Sequence, residues 1–226
     1  MIRSVRAAAP FTILALAGCG GPLSSLDPAG PSADAIATLW WIMFASSLAL
    51  FALVLGLLAL VWLRPGSGSA LAPMRWIVLG GLVLPTTLLT ILVAYSLATG
   101  EQLLPKPSAD RPREIAAHGE MWQWRFGYPD LAPDRTTPVL HVPAGEPVDI
   151  LVTSGDVIHS FWVPRLAGKI DAIPGHENRI RIQADRPGQY HGVCAEFCGN
   201  GHTTMRFLVE AHPPQDYEAA VREAAR

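Results

Sequence analysis

The sequence predicts a mainly β chain: a two-helix transmembrane hairpin, then a β-sandwich or barrel domain. Three observations carry this. Hydrophobic residues make up 50% of the 226 residues, but they concentrate before residue 100, and the charges come after it. Two long stretches in the first half contain no charged residue at all. After Arg113 the pattern changes to short apolar or alternating runs broken by Pro, Gly and Asp, the punctuation of many short strands.

Residues 37–63 form the first uncharged run, with Phe51-Ala52-Leu53-Val54-Leu55-Gly56-Leu57-Leu58 at its centre. At about 1.5 Å rise per residue a helix of this length exceeds the ~30 Å hydrocarbon core. Residues 76–100 form the second run, with Pro85 inside it, where a proline kinks a membrane helix without breaking it. Trp40, Trp41, Trp62 and Trp76 lie near the ends of the runs, as interfacial aromatics do. The short link at 64–75 carries Arg64 and Arg75 and no acid. That places the link on the cytoplasmic side and both hairpin ends outside.

The N-terminus reads as an export leader. Arg3 and Arg6 precede a short apolar stretch at 7–16, too short to span. Leu16-Ala17-Gly18-Cys19 then resembles a bacterial lipoprotein signal, with Cys19 the lipidated residue. The predicted organisation is a signal segment at 1–18, a linker at 19–36, the hairpin at 37–100, a linker at 101–112, a soluble domain at 113–212 and a C-terminal helix at 213–226. The first linker is rich in Pro, Gly, Ser and Asp, and the second in Pro with a Ser and an Asp. Expected strands are 121–128, 139–142, 148–153, 158–163, Asn178–Ile182, 188–193 and 204–211, and the expected helix is 215–225. A formal net charge of -2 gives no support for nucleic-acid binding.

The chemistry concentrates in Cys194-Ala195-Glu196-Phe197-Cys198-Gly199-Asn200-Gly201-His202-Thr203-Thr204-Met205. Two thiols, an imidazole and a thioether fall within one loop. Thiolate and thioether are soft donors suited to copper, and imidazole also suits it. His159, in Asp156-Val157-Ile158-His159-Ser160-Phe161-Trp162, offers a second imidazole. A single blue-copper site needs one cysteine, so the second cysteine points to two metals. From the residues alone, a disulfide and a structural zinc site remain open beside dinuclear copper.

The run Cys194–Met205, with His159 upstream, resembles the dinuclear copper motif of cytochrome c oxidase subunit II. The resemblance extends over the hairpin, the aromatic segment Met121-Trp122-Gln123-Trp124-Arg125-Phe126-Gly127-Tyr128 and the C-terminal helix. It implies a cupredoxin-like β-sandwich. It implies that His159, Cys194, Cys198, His202 and Met205 bind the copper A pair through side chains, and Glu196 through its backbone carbonyl. By the same resemblance the Glu196 carboxylate reaches a magnesium or manganese ion shared with subunit I, Trp122 is where electrons arrive, and Asp156 helps dock the donor. Val163-Pro164-Arg165-Leu166 and Lys169-Ile170-Asp171-Ala172-Ile173-Pro174-Gly175 match segments that face subunit I; read alone, they are loop. The implied function is subunit II of a proton-pumping cytochrome c oxidase in a bacterial plasma membrane, with the C-terminal domain outside. It accepts electrons from cytochrome c and passes them to haem in subunit I, where oxygen becomes water. Expected partners are subunits I and III, the haem donor and membrane lipid.

The chain departs from the family pattern in three places. Gln123, Gly127 and Gly155 stand where acids or a further aromatic are common, which thins the surface a basic cytochrome docks on and suits a less basic or membrane-bound donor. No acid lies in 64–100, so a proton-uptake glutamate before the second span cannot be carried over. No C-x-x-C-H haem-attachment motif occurs, so the donor haem is expected on another protein. Two rival readings remain: a copper-free structural subunit II of a quinol oxidase, which the lipoprotein leader and the Trp122–Pro129 and Val163–Leu166 runs favour, and a membrane-anchored copper carrier.

Overall fold

The computed structural model describes residues 18–66, 72–106 and 112–226. The leader with Arg3 and Arg6 lies outside the described residues, as does part of the second predicted linker. The chain divides into two compact units, one of residues 38–103 and one combining the N-terminal segment through Ala37 with residues 104–226.

The first unit is built on two helices long and apolar enough to cross a membrane, α1 (Pro31–Leu63) and α2 (Pro73–Leu103). Their large apolar side chains, from Trp40 to Leu97, are exposed, as lipid-facing surfaces are. Between Ile77 and Val83 the second helix loosens into a π-helical stretch, immediately before Pro85. Proline has no N–H to donate and crowds the preceding turn; the wider π register absorbs that conflict without ending the helix.

The second unit is a sandwich of two five-stranded sheets. One sheet runs β3 (Ala132–Thr137), β2 (Gln123–Tyr128), β1 (Arg113–Glu120), β5 (Val148–Ser154) and β8 (Asn178–Ile182). The other runs β4 (Val139–Pro143), β10 (Arg206–His212), β9 (Gly188–Cys194), β6 (His159–Trp162) and β7 (Lys169–Ala172). β1 pairs parallel with β5, and β4 with β10; the other ladders are antiparallel. This is the cupredoxin-like sandwich that the family resemblance implied. α3 (Pro214–Ala224) turns its Tyr217 and Val221 into the core.

The core is set by strand alternation. In β1, Ile115 and Ala117 are inward, and in β2 Trp124, Phe126 and Tyr128 are inward. Trp124, Phe161 and Phe207 meet as an aromatic cluster with ring centroids 5.0–5.7 Å apart. Asp149 is a buried acid at 2% exposure. Arg181 Nε donates to it at 2.7 Å and Arg179 at 3.1 Å, which meets the requirement that a buried charge be paired.

Several sequence expectations need correction. β1, β3 and β7 were not expected as strands. β1 is rich in Ala, Gly and Glu and β3 is mostly exposed, so neither shows the β-branched alternation that marks a strand from sequence. The segment at 169–175, read as loop, contributes β7, held by pairing with β6. β2 starts at Gln123 because Met121 and Trp122 form the turn from β1. β10 starts at Arg206 because His202–Thr204 form a 3₁₀ turn. The segment 20–34 is not a free linker. The Ala29 amide donates to the Arg165 carbonyl at 2.7 Å, the Asp185 amide donates to the Ala29 carbonyl at 2.9 Å, and Asp27 pairs with Arg165 at 3.0 Å. In the Val163–Leu166 run, Val163 and Leu166 are buried.

Candidate metal centre

The predicted ligands gather at one end of the sandwich because of strand direction. His159 opens β6 and Cys194 closes β9, and these neighbours run antiparallel. Met205 stands just before β10, which runs antiparallel to β9; the Cys194 amide donates to the Met205 carbonyl at 2.9 Å. The loop 195–204 thus begins and ends at adjacent strand termini and folds back on itself. Gly199 takes φ 104° there, a conformation open to glycine.

At the centre lie two thiols, Cys194 Sγ and Cys198 Sγ, 3.7 Å apart and not bonded. His159 Nδ1 approaches Cys194 Sγ to 3.9 Å and His202 Nδ1 approaches Cys198 Sγ to 3.7 Å. Met205 Sδ lies 3.8 Å from Cys198 Sγ, and the Glu196 carbonyl oxygen 3.2 Å from Cys194 Sγ. His159, Cys194 and Cys198 bring their donor atoms within 4.8 Å of one another, a set His202 does not join. His159 and Met205 are fully buried, and both cysteines are buried.

The donor set fits a soft cation. Burial, then the neighbouring Cys194 thiol, pushes the Cys198 thiol well above its ordinary pKa. Two buried thiolates side by side are unfavourable without positive charge between them. A bound metal supplies that charge and deprotonates coordinating thiols outright. Metal–sulfur bonds of about 2.3 Å and metal–nitrogen bonds of about 2.0 Å fit between the donor pairs present.

Asp156 stands beside the centre. His159 Nε2 donates to its Oδ1 at 2.8 Å, which leaves Nδ1 as the free donor. The Met121 amide donates to its Oδ2 at 2.7 Å and the Val157 amide to its Oδ1 at 2.6 Å. Burial acts to raise the Asp156 pKa, but these bonds from Met121, His159 and Val157 outweigh it and bring it down to about 2. The carboxylate expected to face a donor is thus also engaged within the domain, on the ring of a candidate ligand. The i,i+3 spacing of Asp156 and His159 was the signal for that role.

Trp122 lies over the loop. Its Nε1 donates to the Cys198 carbonyl at 2.9 Å while the residue stays 43% exposed. Its ring covers Gly201 so closely that an added Cβ there would meet the ring carbons. Trp124 is buried at 3%, edge-on to His159, and its indole N–H has no partner among the described residues. Glu196 is exposed, next to Phe197 at 76% exposure. Met121, Val157 and Ile158 line the same cleft as Phe197 and Cys198. Cys19 is exposed.

Residues 114–212 match the family profile described as "Cytochrome C oxidase subunit II, periplasmic domain". A "Cytochrome c oxidase subunit 2" of Alkalihalophilus pseudofirmus is 34% identical over 230 residues, covering 93% of this chain and 65% of its own length. A "Quinol oxidase subunit 2" of Bacillus cereus is 30% identical over 226 residues, covering 93% of this chain and 76% of its own length. The chain therefore spans somewhat less than two thirds of the first relative and about three quarters of the second. Among solved structures, the periplasmic domain of subunit II of cytochrome oxidase of Bradyrhizobium japonicum is 32% identical, with 52% of this chain and 95% of that one covered at a TM-score of 0.46.

Proposed function

Because the chain belongs to the haem–copper oxidase subunit II family, we propose that it is the electron-accepting subunit of a cytochrome c oxidase, holding a dinuclear copper A centre that takes electrons from cytochrome c and serves haem in subunit I. The observation that carries this reading is the intact donor set around two unbonded thiols 3.7 Å apart. A copper-free subunit has no use for five converging soft and imidazole donors and a carbonyl oxygen beside them.

Two features favour a metal pair over one zinc ion. A single tetrahedral ion draws all four ligands around one point. Here each imidazole is paired with a different sulfur, and His202 stands apart from the common set. The residues that would hold the pair are His159, Cys194, Cys198, His202 and Met205 through side chains and Glu196 through its carbonyl. When bound, the pair supplies a one-electron redox centre whose charge is shared over both metals.

The chain's own residues shape that centre. Asp156 fixes the ring of His159 and keeps Nδ1 directed inward. The buried aromatic cluster behind His159 keeps water from the inner side. The Trp122 indole is exposed on one side and hydrogen-bonded to the Cys198 carbonyl on the other, so a donor touching it is joined to the ligand loop. Around it Met121, Val157, Ile158 and Phe197 form an apolar rim. Asp156 is held by His159, and Glu120, Asp171 and Glu196 are the acids at its margin, so this rim suits a donor that docks mainly through apolar contact. Glu196 presents one exposed carboxylate, and a magnesium or manganese ion there needs further oxygen ligands from subunit I. The remaining proposals are proton translocation by the assembled complex with subunits I and III, a bacterial plasma-membrane location with the sandwich outside, and lipidation at Cys19.

Two expected outcomes follow. Trp122→Ala lowers the rate of reduction by ferrocytochrome c about tenfold or more, as truncation of a docking-face tryptophan does, while copper content stays unchanged; stopped-flow kinetics and metal analysis read both. Asp156→Asn weakens copper binding by about 10- to 100-fold, the usual cost of losing a carboxylate that orients a ligand imidazole; competition with a chelator measures it. The quinol-oxidase relative favours one rival, a structural subunit of a quinol oxidase. Turnover of the purified complex with quinol and none with cytochrome c would establish that rival instead.

A further inference from the structure

The second sheet carries another cluster of ligating side chains, none of which belongs to the first. His141 stands on β4, and Glu210 and His212 stand on β10, whose register sets His141 beside Glu210. Residues two apart on a strand share a face, so Glu210 and His212 project together. His141 Nδ1 lies 2.9 Å from His212 Nε2 and 3.6 Å from Glu210 Oε2. His212 Nε2 lies 3.9 Å from that same oxygen. All three donor atoms fall within 4.8 Å of one another. The imidazole rings are nearly parallel, inclined by 25°.

A hydrogen bond between the two imidazoles accounts for one of these distances. It does not account for the carboxylate. Glu210 Oε2 is aimed at both ring nitrogens yet sits beyond hydrogen-bond reach of either. The Gln189 amide donates to its other oxygen at 3.3 Å, which holds it there. A tetrahedral ion with bonds of about 2.0–2.2 Å spaces its ligands about 3.3–3.6 Å apart, close to what the three donors offer. His141 is 6% exposed, and Glu210 and His212 are half-buried, so the site is built into the sheet yet open on one side.

We propose that His141, Glu210 and His212 form a second metal site, for a divalent transition ion of the zinc class. Two imidazoles and one carboxylate match zinc's ligands and not the all-oxygen shells of calcium or magnesium. Three protein ligands leave a position open for water or an exchangeable ligand. The ion would clip the edge strand β4 to β10. Because the site exists only in the folded sheet, zinc would stabilise the domain.

The test uses the full chain in detergent with Cys194→Ser and Cys198→Ser, so that the thiolates cannot take the metal. Zinc chloride is titrated by calorimetry, and thermal unfolding is followed with zinc and with EDTA. The expected result is one zinc ion per chain and a higher melting temperature with zinc. Adding His212→Asn or Glu210→Gln should weaken that binding by more than about tenfold, whereas His176→Ala, at an exposed histidine, should not. The same titration of the wild-type chain should show one more equivalent than its His212→Asn variant, which keeps the test valid if the double serine variant misfolds. No zinc bound beyond the thiolate site, or an equivalent that survives both His212→Asn and Glu210→Gln, would overturn the proposal. Counting metal with the thiolates removed separates this outcome from the fate of the electron-transfer reading.

Discussion

Cys198→Ser is expected to abolish electron acceptance while leaving the sandwich folded. Cys198 sits among the donors of the cluster: its sulfur lies within 3.8 Å of Cys194, His202 and Met205 donor atoms. A serine oxygen is hard and has a shorter reach, so it would not match a soft metal. Loss of an orienting partner alone costs about 10- to 100-fold, so loss of a thiol that would hold the metal should lower reduction by the donor by at least about a hundredfold. The variant should lack near-infrared absorption and retain the far-ultraviolet dichroism of a β-sandwich. Cys194→Ser should behave alike. A variant that still takes electrons at the wild-type rate would show that the thiols are not the centre.

The largest effect on stability is expected at Phe161. It is fully buried, stacks on Phe207, meets Trp124 edge-on and pairs across the ladder with Cys194. Phe161→Ala removes a ring from the contact between the two sheets and should cost about 3–5 kcal/mol. For a domain of this size each kcal/mol shifts the melting temperature by about 4–8 °C, so the variant should melt at least ten or so degrees lower. The cavity also lies behind His159, so copper affinity should fall with stability. Thermal unfolding and chelator competition on the same preparation check both.

The parts of the molecule differ in how far their sequence announces them. The two apolar helices are legible because a lipid-facing helix must be apolar over its whole length. The inward residues of β5 and β8 are legible from alternating Val and Ile. β1 and β3 are not, because their pairing comes from neighbours in the sheet rather than from their own side chains. The candidate loop is legible because its donors are close in the chain, but their spacing leaves disulfide, zinc and copper open, and the family resemblance singled out copper. The packing of Ala29 against Arg165 and Asp185 is not, because a Pro- and Gly-rich segment reads as a linker wherever its backbone bonds go. His141, Glu210 and His212 went unnoticed for a related reason: His141 is far from the other two in sequence, and only the parallel β4–β10 register brings them together. The donor's chemistry is only partly written in the chain, as a thinned set of acids around an exposed tryptophan.

Metal content and magnetic resonance of the purified complex test the central claim most directly. The expected result is two copper ions per subunit II, with a mixed-valence signal in which one unpaired electron couples to both nuclei. Zinc in their place, or a Cys194–Cys198 disulfide with no metal in the working complex, would contradict it.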